Sequence, residues 1–349
     1  LAKQITMHAS GWQGRLEVLE ETLSEALSDK QYSVPIPDIE LFYQQAGNWL
    51  SGAERLVSLW DRLHKELKQG DMPMACWVKL DDSAGGNIDI SINASPIQAA
   101  EILKDRLWGS CYAAVLTSAT LKSLGNFNTL QRETGVPNSA HFLSVEGAFN
   151  YREAAALCVP LGAVEGNSID EHSQYIIDNL ESMVEDRAGT LVLFSSKRQM
   201  EQVFDELPNS LAKIILIQGQ YSNREMVRLH KERIDQGKTS VLLGLASFAE
   251  GVDLPGDYCK HVVIAKLPFA VPDDPLHEAL SEWIEARGGN SFFDISLPIA
   301  SLRLIQACGR LLRTESDTGR VSILDKRLIT KRYGAQLLDA LPPFRRELG

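Results

Sequence analysis

The chain has 349 residues, enough for two domains each with its own core, and 44% of them are hydrophobic. Its 46 acidic and 35 basic residues leave a formal net charge of −11. That excludes wholesale charge-driven nucleic-acid binding but leaves room for a local groove of hydroxyls, amides and a few arginines.

Residues Trp12, Leu16, Leu19, Leu23 and Leu27, then Trp49, Ala53, Leu56, Trp60, Leu63 and Leu67, recur at helical spacing. They predict two long amphipathic helices, the second stopped by Gly70 and Pro73, packed on each other or laid over another domain. From Ala75 the period changes: CWVKLDD, SAGG and NIDISINAS read as strand, turn and strand. PIQAAEILKDRLW follows as a helix with Pro96 near its first turn, and CYAAVLTSATL as an apolar strand ending in hydroxyl residues. After a polar passage from Lys122 to about Asn150 the rhythm becomes strand, helix, strand. The predicted strands are AAALCVP, TLVLFSS, KIILIQ, TSVLLGLAS, KHVVIAKLP and GRVSILD. Between them lie helices, one capped by Ser168 with Glu171 three residues on. Short Val/Ile/Leu-rich strands alternating with helices imply an α/β protein with a parallel sheet covered on both faces. Such sheets carry their chemistry at the carboxyl ends of the strands.

No apolar run reaches membrane-spanning length and no signal-peptide pattern is present, so no membrane partner is expected. Because the chain begins at Leu1 rather than Met, a fragment of a longer protein is expected. The cysteines (Cys76, Cys111, Cys158, Cys259 and Cys308) are scattered, form no CxxC pair and sit in mostly apolar segments. Reduced, packed thiols in a cytoplasmic protein follow from that usage.

Five places are candidates for chemistry. Arg303, Gln306, Arg310 and Arg313 are spaced by three, four and three, which puts them on one helical face beside Gly309. A glycine inside a helix costs about 1 kcal/mol relative to alanine, so close approach of a backbone or ligand is expected there. Two guanidiniums beside it call for a carboxylate or a phosphate, although a solvated polar face explains the spacing equally. In LLGLASFAEGVDLPGD, Ser247, Glu250, Gly251 and Asp253 follow a buried strand, suited to a ribose or cation or to an ordinary turn. Ser195 and Ser196 end a strand and open a helix, as an anion site or a plain cap. Thr117, Ser118 and Thr120 close another predicted strand, and QGQ at 218–220 a fifth. GxxxxGK[ST], an acidic magnesium-binding run, HExxH and GxSxG are all absent.

In order, VLTSATL, TLVLFSS, SVLLGLASFAEGVDLPG and QACGRLLR with DTGRVSILDKR resemble motifs III, IV, V and VI of superfamily 2 helicases. AEGVDLPG, QACGRLLR and the D-x-R element resemble the XPD/DinG branch, over about residues 75 to 349. The resemblance implies a RecA-like parallel-sheet domain at 150–349 after a linker at 126–149. It also implies the last strand–helix part of a first RecA-like domain at 75–125 and the end of a helical arch at 1–74. It implies a C-terminal half of an ATP-dependent 5′-to-3′ DNA helicase. Arg310 and Arg313, with Gln306, would act as the catalytic finger on the γ-phosphate. Glu250, Gly251, Asp253 and Gly309 would serve nucleotide binding. Ser195, Ser196 and Ser247 would contact DNA, and Ser118 and Thr120 would couple hydrolysis to movement. ATP and Mg2+ would be held mainly by an upstream N-terminal half, which would also carry the family's iron–sulfur cluster, so no metal ligand is expected here. Single-stranded DNA and forked or hybrid duplexes are the implied partners. A non-catalytic RecA-like module that binds DNA or a partner protein is the alternative. A nucleotide-binding transferase would explain the sheet but not the Gln306–Arg313 cluster.

Overall fold

Helical periodicity over the first 64 residues produces two helices, Ala2–Ser28 and Ile39–His64, packed against each other. The computed structural model describes residues 2–28, 39–64, 72–82, 88–145, 147, 149–270 and 274–349, with some side chains at element ends, Glu250 among them, outside that description. Gly70 and the SAGG turn also lie outside it. Alanines, not the large residues of the predicted stripe, make the burial in this pair. Ala46 and Ala53 are buried while Trp12, Trp49 and Leu56 stay at least half exposed.

The predicted hairpin is formed by β1 (Met74–Asp82) and β2 (Ile88–Pro96), antiparallel with Val78 opposite Ile92 and Leu80 opposite Ile90. Pro96 therefore closes a strand instead of opening a helix. The hairpin, the two helices and a helix from far along the chain, Pro275–Glu285, gather into one compact unit (residues 1–98 and 272–288). Asp274 caps that last helix by accepting from the Leu276 amide at 3.0 Å.

Residues 99–271 and 289–349 form the second unit. It opens with a helical turn, Ala100–Leu103, that widens into a π-helical turn at Lys104–Trp108. Residues 111–117, expected as an apolar strand, pair with nothing among the described residues: Tyr112 is fully exposed and Val115 is 92% exposed. A strand exists only with a hydrogen-bonding neighbour, and this sequence of strand-forming residues has none here.

The sheet matches the α/β expectation. Its strands are β3 (Ala155–Val159), β4 (Gly189–Phe194), β5 (Ile215–Ile217), β6 (Ser240–Leu245), β7 (His261–Ile264), β8 (Gly319–Ile323) and β9 (Arg345–Leu348). They lie in the order β5-β6-β4-β7-β8-β3-β9, every pair parallel. The inner strands are buried on both sides, so alternate residues feed two apolar clusters. Leu191, Leu193, Leu242, Val262 and Val321 point into one, and Val192, Phe194, Val241, Leu243 and Val263 into the other. Gly189 is required where β4 begins, because a Cβ there would lie 1.9 Å from the Tyr258 carbonyl oxygen.

Three histidines are buried in this unit, each satisfied as a neutral ring. His172 Nε2 donates to the Leu324 carbonyl and Nδ1 accepts from Gln199. His230 spans the Tyr258 carbonyl and the Ser240 hydroxyl, and His261 the Met183 carbonyl and the Ser322 hydroxyl. Burial lowers all three, His230 and His261 to about 4. The cysteines divide. Cys259 and Cys308 are packed thiols pushed up to about 12 by burial, Cys111 and Cys158 are half-buried, and Cys76 is exposed on the hairpin, against expectation. Val78 and Leu80, which follow it at alternate positions along β1, are exposed as well.

Candidate functional site

Parallel strands deliver their carboxyl ends to one edge of the sheet, and the register fixes what stands beside what. Phe194 pairs with Leu245 and Leu193 with Ile264, and Ile264 pairs with Ile323. Continued past the strand ends, Ser195 is level with Ala246 and Lys266, and Lys266 with Asp325. β4 and β6 are neighbours, so Ser195 and Ser196 directly after β4 and Ser247 on the short helix after β6 follow adjacent strand ends. Ser196 also caps the helix Lys197–Glu206, its hydroxyl accepting from the Gln199 amide at 3.4 Å. Ser247 is exposed on the short helix Ala246–Glu250, directly after β6. Gln218, of the QGQ run, accepts from the Leu245 amide at 2.8 Å and so holds the end of β6.

That short helix leads into Gly251, Val252 and Asp253, where the arginines meet it. The helix Leu297–Cys308 stops five residues short of Arg313, to which the spacing of Arg303, Gln306, Arg310 and Arg313 would carry it. Gly309 is its C-cap, not a mid-helix gap, and the exit tightens through bonds from the Arg310 amide to Ala307 and from Leu311 to Cys308. Such i→i+3 bonds satisfy carbonyls that a helix end leaves open. A Cβ at Gly309 would meet little beyond the helix's own Ile305 carbonyl at 3.3 Å. Gln306 remains on the helix, half-buried.

The two arginines converge all the same. Arg310 Nη1 donates to the Val252 carbonyl at 3.0 Å and Arg313 Nη2 to the same oxygen at 3.1 Å. Arg313 Nε lies 3.2 Å from the Asp253 carboxylate. Asp253 is mostly exposed and Arg313 30% exposed, so this pair is a positioning contact in solvent more than a source of stability. A Cβ at Gly251 would project into open space, so packing within this chain does not require glycine there.

One residue that the motif reading did not single out holds both loops. Asp317 is 3% exposed and accepts from the Gly256 amide (3.1 Å), the Arg313 amide (2.7 Å), the Thr314 amide (2.9 Å) and the Thr314 hydroxyl (2.6 Å). Burial by itself would raise its pKa. The hydrogen bonds from Thr314, Arg313 and Gly256 outweigh that and hold the carboxyl below its ordinary value. Gly256 takes φ +63, the left-handed conformation that turns its N–H toward the carboxylate. Asp325 is a second such clasp. Fully buried, it accepts from the amides of Leu267 and Arg327 and from the Arg327 guanidinium. Only its place before Lys326-Arg327 in the D-x-R element signalled it.

Ser118 and Thr120 form a local turn, the Ser118 hydroxyl accepting from the Thr120 amide at 3.2 Å. No hydrogen bond or ion pair among the described residues ties that turn to the strand-end serines or to the arginines. Among the described residues no three of His, Cys, Asp and Glu gather as a metal-binding group, and no helix is long and apolar enough to cross a membrane.

With the paired arginines and the strand-end serines in place, the comparisons with known proteins are informative. Residues 180–344 match the helicase C-terminal domain family. The chain is similar in sequence to ATP-dependent DNA helicases named DinG. It is 39% identical over 334 residues to the ATP-dependent DNA helicase DinG of Photobacterium profundum, and 36% identical over 336 residues to that of Escherichia coli K12. Those matches take in 94% of this chain but 47% and 46% of the relatives, so the chain spans about half their length. A solved XPD helicase structure overlays 95% of the chain and 55% of its own with a TM-score of 0.57 at 17% identity, a likeness of fold.

Proposed function

We propose that this chain supplies the arginine finger and the single-stranded DNA contacts of an ATP-dependent 5′-to-3′ DNA helicase. The observation that carries the reading is the convergence of Arg310 and Arg313 on Val252 and Asp253. Sequence-distant loops are thereby clasped by Asp317, two residues ahead of β8, into one cationic point. A guanidinium held in place before charge develops stabilises the transferring phosphoryl group without reorganising. Arg313, the more exposed of the two through its Asp253 contact, is the residue that reaches the γ-phosphate. Arg310 and Gln306 support it from the helix exit. Glu250, Gly251 and Asp253 carry the nucleotide's state toward Ser247, Ser195 and Ser196, which take the DNA backbone, while Ser118 and Thr120 couple hydrolysis to movement. ATP supplies the phosphoryl group and Mg2+ neutralises its charge, both held mainly by an N-terminal half that also carries the iron–sulfur cluster. Forked and hybrid duplexes are the substrates.

The exposed segment 111–117 favours a partner of that kind. Its apolar residues lie exposed and outside any strand among the described residues, as a segment that pairs with the sheet of another RecA-like domain would. The test is DNA-stimulated ATP hydrolysis, comparing this chain with one extended upstream through a phosphate-binding loop, and with Arg313→Ala in the extended form. Activity confined to the extended chain and lost by at least a hundredfold in Arg313→Ala is the expected result. Unchanged turnover in that variant would refute the finger.

A second reading, a RecA-like module that binds DNA or a partner without nucleotide turnover, is favoured by the absence of GxxxxGK[ST] from the sequence. It becomes the better account if the extended chain binds DNA but hydrolyses no ATP.

A further inference from the structure

At the carboxyl edge of the sheet two neighbouring cations are already paired. Arg327 is held by Asp325 through three side-chain hydrogen bonds, and Lys331 Nζ lies 3.0 Å from Glu165. Lys266, two residues past β7, differs. Its ammonium makes no hydrogen bond or close ion pair among the described residues, and its stem is laid across the backbone of Gly166, where a Cβ would lie 2.7 Å from Cε. The chain on either side is fixed, with the Ala265 amide donating to Leu193 and the Leu267 amide donating to Asp325 at 3.0 Å. A long flexible side chain is thus pinned with its charge half-buried, and the one carboxylate that acts on it, Asp325, is hydrogen-bonded to Arg327, so a further anion would be favoured there. Burial, then Arg327, lowers its pKa, while Asp325 works the other way.

The register, carried two residues past the strand ends, puts Lys266 level with Ser195 on one side and with Asp325 on the other. We propose that Lys266 is the cation of a phosphate-binding subsite at the ends of β4 and β7, completed by Ser195, and that it takes a backbone phosphate of single-stranded DNA. This rests on the DNA-contact reading above and deepens it. Lys266 supplies the point charge, the pinned stem pre-orients it, and the adjacent serines donate to neighbouring phosphate oxygens. The same chemistry would suit a nucleotide phosphate, so the test must separate the two sources.

Binding of fluorescent oligo-dT is measured by anisotropy over a range of salt concentrations for the chain extended upstream through a phosphate-binding loop, as wild type, Lys266→Met and Lys266→Arg, with ATP binding measured in parallel. Lys266→Met keeps the stem and removes the charge. It is expected to weaken oligo-dT binding by roughly tenfold and to flatten the log–log salt dependence by about 0.7, one released counterion, while Lys266→Arg restores both. ATP binding and the melting midpoint are expected to stay at wild-type values. Wild-type affinity and salt slope in Lys266→Met would overturn the subsite while leaving the DNA reading standing. A wild-type chain that binds no oligo-dT would overturn both. Loss of ATP binding with oligo-dT unaffected would assign the lysine to the nucleotide and overturn the DNA assignment. A lowered melting midpoint with unaltered binding would make Lys266 a structural residue.

Discussion

Truncating Asp317 should uncouple the two arginine-bearing loops, and its cost follows from the donors it serves. Asp317→Ala strands the amides of Gly256, Arg313 and Thr314, whose present distances to the carboxylate run from 2.7 to 3.1 Å. A buried donor left unmet costs about 1–3 kcal/mol. Arg313 and Thr314 lie in exposed backbone where water can reach them, so the lower figure applies and the sum is about 3 kcal/mol. For a unit of this size that corresponds to a fall in melting midpoint of about 6–12 °C. Asp317→Asn keeps one acceptor but turns an NH2 group toward donors, so about 2 kcal/mol is expected. The folded carboxyl titrates below its ordinary value, so its contribution is complete above the unfolded pKa and fades only as pH falls below about 4. The gap between wild type and Asp317→Asn should therefore be constant from pH 5 to 8. Urea unfolding at several pH values measures it. In the extended protein the same variants should lose ATP turnover with little change in ATP KM, because the finger is disordered and not removed. An Asp317→Ala protein within about 0.5 kcal/mol of wild type would refute the clasp, since that is the scatter of neutral surface changes.

Acid should weaken the fold through its buried histidines. His230 and His261 stay neutral to about 4 when folded but take a proton near 6.5 when unfolded. Stability is thus complete above 6.5 and falls as pH drops from there toward 4, by about 2 kcal/mol for each ring at pH 5, with His172 acting in the same direction. Equal urea midpoints at pH 7.5 and pH 5 would contradict that burial. In the segment 111–117, Val115→Asp should leave the unfolding of this chain within about 0.5 kcal/mol of wild type, its side chain being almost wholly in solvent. The same change should abolish co-purification with a separately expressed upstream half. Undiminished co-purification would mean that the segment docks elsewhere.

The sequence showed the sheet well where burial writes itself into composition. Strands β3 to β8 are runs of Val, Ile and Leu because both faces are covered, and each was recognisable on that ground. β9 was not recognisable. Its residues, Arg345 to Leu348, are mostly charged, as suits an edge strand whose only sheet neighbour is β3. The segment 111–117 shows the opposite case: strand-forming residues with no strand, since pairing depends on a neighbour that local sequence does not contain. The arginines show a third. Their spacing pointed to one helical face, yet the helix ends at Cys308. They meet because the chain after that end folds back on Val252, about sixty residues earlier. That meeting depends on Asp317, and nothing about an aspartate before Thr-Gly distinguishes a clasp from an ordinary turn until the amides of Gly256 and Arg313 are seen converging on it. Lys266 was hidden for a related reason. A lysine after a buried strand is unremarkable by spacing, and becomes informative only when Arg327 and Lys331 beside it are found paired and it is not. The family resemblance is therefore legible in the motifs, whereas the means by which their residues hold one another lies in contacts between residues far apart in the chain. Those contacts are where substitutions should separate fold from function.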